Sequence, residues 1–230
     1  SYVDVEIDSG IATVRLNRPE VMNALNVTLV SQLGKAIEEL NERDDVNTIV
    51  LDGAGKAFVA GADVKFFVDM IRQDSFQEVY DFTAHGHEVL NAIESSPKTT
   101  IALATGLALG GGLELALACD YRVGTQRTQL RFPETSIGIY PGLGGTQRTA
   151  RICGIGAARY AVLAGNLMDA GTASALGLLT HLVESSGVSA TVAELALTGK
   201  PDERYPGRPM DASNPVASFA AAFYSDANMA

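Results

Sequence analysis

Short, mostly apolar runs alternate with longer stretches of helical period through the first 183 residues, and no other feature constrains the fold as much. Residues 47–51, 100–104 and 121–123 are strand-length runs lacking the polar alternation of a half-exposed strand. Strands of that kind belong to parallel sheets covered by helices on both faces. Between them, Leu29, Leu33, Ile37 and Leu40 recur every three or four residues and predict an amphipathic helix that ends near the polar residues 41–45. A second helix is predicted over about 76–93, and a third begins in Gly110-Gly111-Gly112 and runs through Ala118. At the N-terminus, Val3, Val5 and Ile7 alternate with Asp4, Glu6 and Asp8. Asp8-Ser9-Gly10 then turns the chain into a return strand at 11–16, completing a hairpin. Strands at 130–132 and 179–183 and a helical region at 156–177 complete the pattern. It predicts an α/β domain with buried, largely parallel strands, and no fixed-period sequence repeat is visible.

A chain of 230 residues buries a sizeable core. We place one domain at residues 1–197. Residues 198–230 form a Pro/Gly-rich tail, in which 199–215 read as a linker or long loop and 216–222 as a short helix. The formal net charge is −10 and there is no basic run, so nucleic acid and anionic membrane surfaces are not expected partners. The longest apolar stretch, 101–119, is interrupted by Thr105, three glycines and Glu114, which argues against a membrane span. No basic start followed by an apolar stretch marks a signal peptide, and the default location is cytoplasmic. The start at Ser1 suggests a chain processed or cut from a longer one. Cys119 and Cys153 match no metal-ligand spacing and read as buried free thiols.

Three segments stand out chemically. Glu114 lies among Leu113, Leu115, Ala116, Leu117 and Ala118 with no easy route to solvent. A carboxylate favoured by a helix dipole would explain it alone, but the preceding three glycines also let backbone N–H groups approach a ligand closely, as an oxyanion site requires. Glu134, after Pro133 and a short strand, reads either as a surface-loop carboxylate or as the partner of Glu114 in an acid/base pair. Phe58-Val59-Ala60-Gly61-Ala62-Asp63 follows a strand and leads into a helix, its small residues leaving N–H groups accessible. Other fragments fail. Gly53-Ala54-Gly55-Lys56 lacks the spacing and hydroxyl of a phosphate loop, and Gly142-Leu143-Gly144-Gly145 is not a dinucleotide fingerprint. His85 and His87 diverge on a helix, so no metal site is expected. No serine or cysteine sits in a nucleophile-elbow pattern.

Taken in order, these segments resemble the crotonase family, and more narrowly its enoyl-CoA hydratases. The matching residues begin with Leu16-Asn17-Arg18-Pro19, Asn23-Ala24-Leu25 and Lys56 through Lys65. They continue with Gly106 through Leu115, Ala118-Cys119-Asp120, Phe132-Pro133-Glu134 and Pro141 through Arg148. The resemblance implies a spiral of repeated strand–strand–helix units with a helical C-terminal region, assembled as trimers or hexamers. It implies an acyl-CoA thioester substrate, with the CoA being part of the substrate and no separate cofactor. Its thioester oxygen would be held by the N–H groups of Ala62 and Gly111.

The two catalytic glutamates of that family map to Glu114 and Glu134, and retention of both favours hydration or dehydration over isomerisation. The CoA would lie over Arg18, Ala24, Ala60, Ala62, Asp63, Val64, Lys65 and Gly111. For Arg18 and Lys65, contact with the CoA phosphates and simple solvation as surface charges weigh about evenly. The expected activity is therefore hydration of the 2,3 double bond of an enoyl-CoA, as in fatty-acid β-oxidation. The alternatives are an enoyl-CoA isomerase or other enolate-forming enzyme, and a non-catalytic acyl-CoA-binding subunit. Departures from the family pattern lie at the C-terminus, where many members carry longer helices over the CoA. Similar domains also occur fused to a 3-hydroxyacyl-CoA dehydrogenase, and the Ser1 start is compatible with such a piece.

Overall fold

The computed structural model describes residues 1–205 and 213–222. The N-terminal hairpin forms as expected: β1 (Val3–Asp8) pairs antiparallel with β2 (Ile11–Leu16) across a turn in which Ser9 and Gly10 both have positive φ. The first helix, α1 (Val27–Glu42), starts at Asn26, whose side-chain oxygen accepts the Leu29 N–H at 2.9 Å and satisfies one of the free first-turn donors. Its predicted stripe of Leu29, Leu33, Ile37 and Leu40 is buried.

The middle of the chain repeats a strand–strand–helix unit three times. The first unit is β3 (Thr48–Gly53) and β4 (Ala57–Ala60), followed by α2 (Val64–Arg72) and α3 (Phe76–Glu94). The second is β5 (Thr99–Leu103), β6 (Leu107–Leu109) and α4 (Gly111–Leu117). The third is β7 (Tyr121–Gly124), β8 (Gln129–Arg131) and α5 (Gly145–Arg159), which continues through a π-helical turn at Tyr160–Ala164. The elements β9 (Met168–Asp169), α6 (Ala170–Ala175), β10 (His181–Leu182), α7 (Val188–Thr198) and α8 (Pro215–Ala222) follow.

The first strand of each unit joins a six-stranded sheet ordered β1-β2-β3-β5-β7-β10, parallel from β2 onward. The second strands build a smaller sheet, β4-β6-β8-β9, parallel except for its last pair. Both faces of the large sheet are covered. Ile49 and Leu51 face the main core with α1, whereas Val50, Ile101, Tyr121 and Val123 face α7 at Leu195. That two-sided burial is why these strands read as continuous apolar runs.

Three readings change. The helical region expected at 156–177 starts near that point but follows a shorter helix from Gly145, the two meeting at a non-helical Gly154 (φ +81°), and it is itself divided. Gly165, at φ +57°, ends the π-helical turn before β9, and its carbonyl is held by the Arg131 side chain at 2.6 Å. The strand expected at 179–183 shrinks to β10, which is paired to β7 through only two residue pairs. The strands β4 and β6 were not distinguished as strands, because three or four residues beside glycines carry no readable period. Of the segment expected as a linker, residues 199–205 cross the ends of α3 and α4, pinned by Lys200 and Arg204 on Asp120. Residues 206–212 lie outside the described residues. No helix among the described residues is long and apolar enough to cross a membrane.

Candidate active site

Parallel pairing aligns the C-terminal ends of three short strands. Ala60 of β4 sits beside Leu109 of β6, and Leu109 beside Arg131 of β8. The residues that follow each strand therefore emerge along one edge: Gly61-Ala62, Gly110-Gly111 and Phe132-Pro133-Glu134. In a parallel sheet that edge is where ligands characteristically bind.

The backbone donors expected for an oxyanion site meet there. Ala62 forms a parallel bridge with Leu25, in which the Leu25 N–H donates to Gly61 O at 2.9 Å and the Asp63 N–H to Leu25 O at 2.8 Å. That pairing uses the neighbours' groups and leaves the Ala62 N–H aimed elsewhere. Gly111 is the first residue of α4, so its N–H has no intrahelical partner. The two donors lie side by side, since a Cβ on Gly111 would come 3.9 Å from the Ala62 nitrogen. Gly110 takes φ +48° and ψ −122°, and a Cβ there would strike Glu134 Oε1 at 2.6 Å. Both the torsion and the close approach demand glycine.

Glu114 is only 2% exposed. Its Oε1 accepts two backbone N–H groups, from Leu143 and Gly145, each at 2.7 Å. Burial pushes its pKa up to about 7, opposed by those two donors, raised further by the charge of Glu134 and lowered by Arg148. Glu134 sits half-buried in a 3₁₀ turn, Glu134–Ile137, and its Oε2 has no hydrogen-bond partner among the described residues. Burial raises its pKa too, opposed by a backbone hydrogen bond and by Arg131. The tertiary structure thus brings Glu134 close enough for its charge to act on Glu114, which their separation along the chain did not establish. Cys119 is buried, and burial pushes its thiol up to about 12, where it is inert as a nucleophile.

On the other flank, Arg18 departs from expectation. It is not a solvated surface charge: it is 8% exposed, donates to Ala24 O at 2.7 Å and lies 3.7 Å from Asp63 and 4.8 Å over the Tyr2 ring. Its Nε has no partner among the described residues. Ala24 is buried, Ala60 and Asp63 are half-buried, and Val64 and Lys65 are exposed on the first turn of α2. Two residues that the sequence reading gave no role organise these pieces. Asn23, fully buried at φ +58°, donates to Ala54 O, Ala57 O and Phe58 O and accepts the Arg18 N–H. Arg148 fastens the loop before α5. A buried polar residue in the left-handed region is the sort of position asparagine tolerates, but nothing local marks its partners. A cavity of about 270 Å³ lined by Gly53, Lys56, Gly106, Arg127 and Gln129 lies at the opposite edge of the small sheet and takes no part in this site.

Two sheets built from repeated strand–strand–helix units, with glycine-framed donors and carboxylates at one edge, define the crotonase class of fold. The chain belongs to the enoyl-CoA hydratase/isomerase family, whose model matches residues 11–227. Among its relatives, a crotonyl-CoA hydratase of Syntrophomonas wolfei is 35% identical over 193 residues, covering 84% of this chain and 73% of the relative. A short-chain-enoyl-CoA hydratase of Clostridium acetobutylicum is 36% identical over 195 residues, covering 84% and 73%. The crystal structure of an enoyl-CoA hydratase from Bacillus anthracis superposes with a TM-score of 0.81 at 32% identity, covering 86% of this chain and 76% of that one.

Proposed function

We propose that this chain is an enoyl-CoA hydratase, a hydro-lyase that reversibly adds water across the 2,3 double bond of a short- or medium-chain enoyl-CoA. The observation that carries the reading is the convergence, at one sheet edge, of two backbone donors and two carboxylates whose surroundings differ. The Ala62 and Gly111 N–H groups hold the thioester oxygen, polarise the conjugated system and stabilise the enolate charge as it develops. The β-carbon becomes electrophilic. A water between the carboxylates attacks it, with Glu114 taking the water's proton and Glu134 delivering a proton to the α-carbon. The reverse sequence dehydrates a 3-hydroxyacyl thioester. A positioned acid or base of this kind contributes about 10²–10⁴-fold.

The raised pKa values support these roles, because groups that exchange protons near neutrality are efficient acids and bases. The CoA runs along Arg18, Ala24, Ala60, Asp63, Val64 and Lys65, with Lys65 reaching its phosphates from the exposed turn. The acyl chain faces α2 and α3. No separate cofactor is invoked, since proton transfer and charge stabilisation suffice. A cytoplasmic trimer or hexamer working in β-oxidation is the setting we infer from the family, with residues 1–197 as the catalytic unit.

The test is loss of the conjugated thioester absorbance of crotonyl-CoA, followed for the parent, Glu114→Gln and Glu134→Gln. Rapid loss in the parent with both variants severely impaired is the expected result. Dependence on one glutamate alone would indicate an isomerase-like use of the site. Tight ester binding without turnover would overturn the hydratase reading.

A further inference from the structure

Resting on the reading of Glu114 as the catalytic base, we propose that Arg148 is its positioning residue, acting through the loop at 143–145 that grips the carboxylate. The Arg148 side chain is 4% exposed and every nitrogen of its guanidinium is engaged. Nη1 donates to Leu143 O at 2.8 Å, Nε and Nη2 donate to Glu94 Oε2 at 2.9 and 2.6 Å, and Nη2 also donates to Asn91 Oδ1 at 3.0 Å. Glu94 is itself held from the C-terminal segment by the Tyr205 hydroxyl and sits near Arg204. The loop has no slack. Gly144 takes φ +93° directly over the guanidinium, where a Cβ would meet Arg148 Nη1 at 2.4 Å, and Leu143 packs so closely on α3 that a Cβ at Gly86 would meet it at 2.8 Å.

The consequence falls on Glu114. The Leu143 carbonyl is tied to Arg148 while the Leu143 N–H, on the same residue, donates to Glu114 Oε1, and the Gly145 N–H joins it. A fork that spans Glu94, Asn91 and the loop carbonyl therefore sets where both donors point, and those donors fix the direction in which the carboxylate faces water. The charged groups facing Glu114 are Glu134 from the turn after β8 and Arg148 from α5; β4, β5 and β6, which pack on α4, carry none. Loosening the loop withdraws stabilisation from the ionised form only. The acid limb of the rate profile must then move to higher pH.

The experiment pairs kinetics with a direct titration. Crotonyl-CoA hydration is measured across pH for the parent, Arg148→Met and Arg148→Lys. In parallel, Glu114 is titrated by NMR in chains carrying carboxyl-¹³C glutamate, its resonance identified by its loss in Glu114→Gln. For Arg148→Met we expect the acid limb and the Glu114 titration to rise together by about one pH unit. The kcat near neutrality should fall about tenfold while KM changes less than about threefold. Arg148→Lys keeps the charge but cannot span three partners, so at least half of the shift should persist; this variant also decides the matter if Arg148→Met does not fold. An Arg148→Lys chain that titrates like the parent would overturn the proposal, leaving only a through-space charge effect. A lowered melting temperature with an unmoved Glu114 titration would overturn it in favour of a merely structural role. A parent that does not hydrate crotonyl-CoA removes the hydratase reading, yet the Glu114 titration still decides the role of Arg148.

Discussion

The two flanks of the candidate site are built to different standards of rigidity. On one side, α4 is buried along its whole length, from Gly111 to Leu117, and the loop before α5 closes over Glu114 with two donors at 2.7 Å. On the other, α2 has no buried residue and presents Val64, Val68 and Ile71 to the surface, anchored by Phe66 and Phe67 against Phe82 of α3. The first flank holds Gly111 and Glu114, two of the groups assigned to the chemistry, and close packing keeps them in one arrangement. The second borders the space assigned to the acyl chain, where an apolar, exposed helix face is free to vary without disturbing the core.

Experiments on Glu114 test that contrast most severely. Glu114→Gln should lower kcat by about 10²–10⁴-fold, measured with crotonyl-CoA, because the amide does not take up the water's proton. The same variant should be the more stable protein in mild alkali. The folded-state pKa of Glu114, about 7, lies above its ordinary 4.5, so the native state binds this proton more tightly than the unfolded chain does. The stability this contributes is full below about pH 4.5 and is lost as pH rises through 7, a total of about 3 kcal/mol. Urea denaturation should accordingly show Glu114→Gln gaining on the parent by up to about 3 kcal/mol between pH 4.5 and pH 8. A constant difference across that range would mean Glu114 is not strained by burial.

The glycines of the rigid flank come next. A Cβ on Gly112 would lie 2.0 Å from the Val59 carbonyl oxygen, whereas one on Gly111 would meet the end of the Leu25 side chain at 3.1 Å. Gly112→Ala should therefore cost about 3 kcal/mol and Gly111→Ala under about 1 kcal/mol, since a backbone carbonyl does not yield as a leucine methyl does. Equal losses in thermal or chemical denaturation would break the claim that β4 and α4 are in backbone contact. On the open flank, Ile71, which is 55% exposed, should tolerate alanine within about 0.5 kcal/mol. That substitution should instead change the ratio of kcat/KM between crotonyl-CoA and a longer enoyl-CoA by about threefold. A changed stability with an unchanged ratio would remove α2 from the acyl site.

The legible parts of the fold are those whose signals are local. The 3.6-residue stripe of α1 and the apolar runs of β3, β5 and β7 express burial against neighbouring elements, and the alternation in β1 is legible although only Val3 of its apolar face is buried. The start of α4 in its glycines was legible for the same reason. Strands β4 and β6 were not, although they carry the candidate donors to their edge, because their pairing partners lie about 50 residues apart and no pattern fits in three or four residues. Arg18 shows a second kind of miss. An arginine on an acidic chain reads equally as a phosphate contact or a solvated charge, and only the fold reveals that Ala24, Asp63 and Tyr2 enclose it.

The order of the strands and helices, the glycines at 110–112 and the presence of two well-separated glutamates were determined by the sequence itself, because backbone propensity and hydrophobic period act over a few residues. That Ala62 meets Gly111, that Leu143 and Gly145 grip Glu114, and that Arg148 spans from α3 to that loop were decided only by tertiary structure. Apart from the local Arg148–Leu143 bond, those contacts join residues 29 to 57 positions apart, and their geometry comes from the registers of two sheets and the packing of α4 between its neighbours. Contacts of that range have no local signature: the Leu143 and Gly145 donors, for example, are backbone groups that every residue carries.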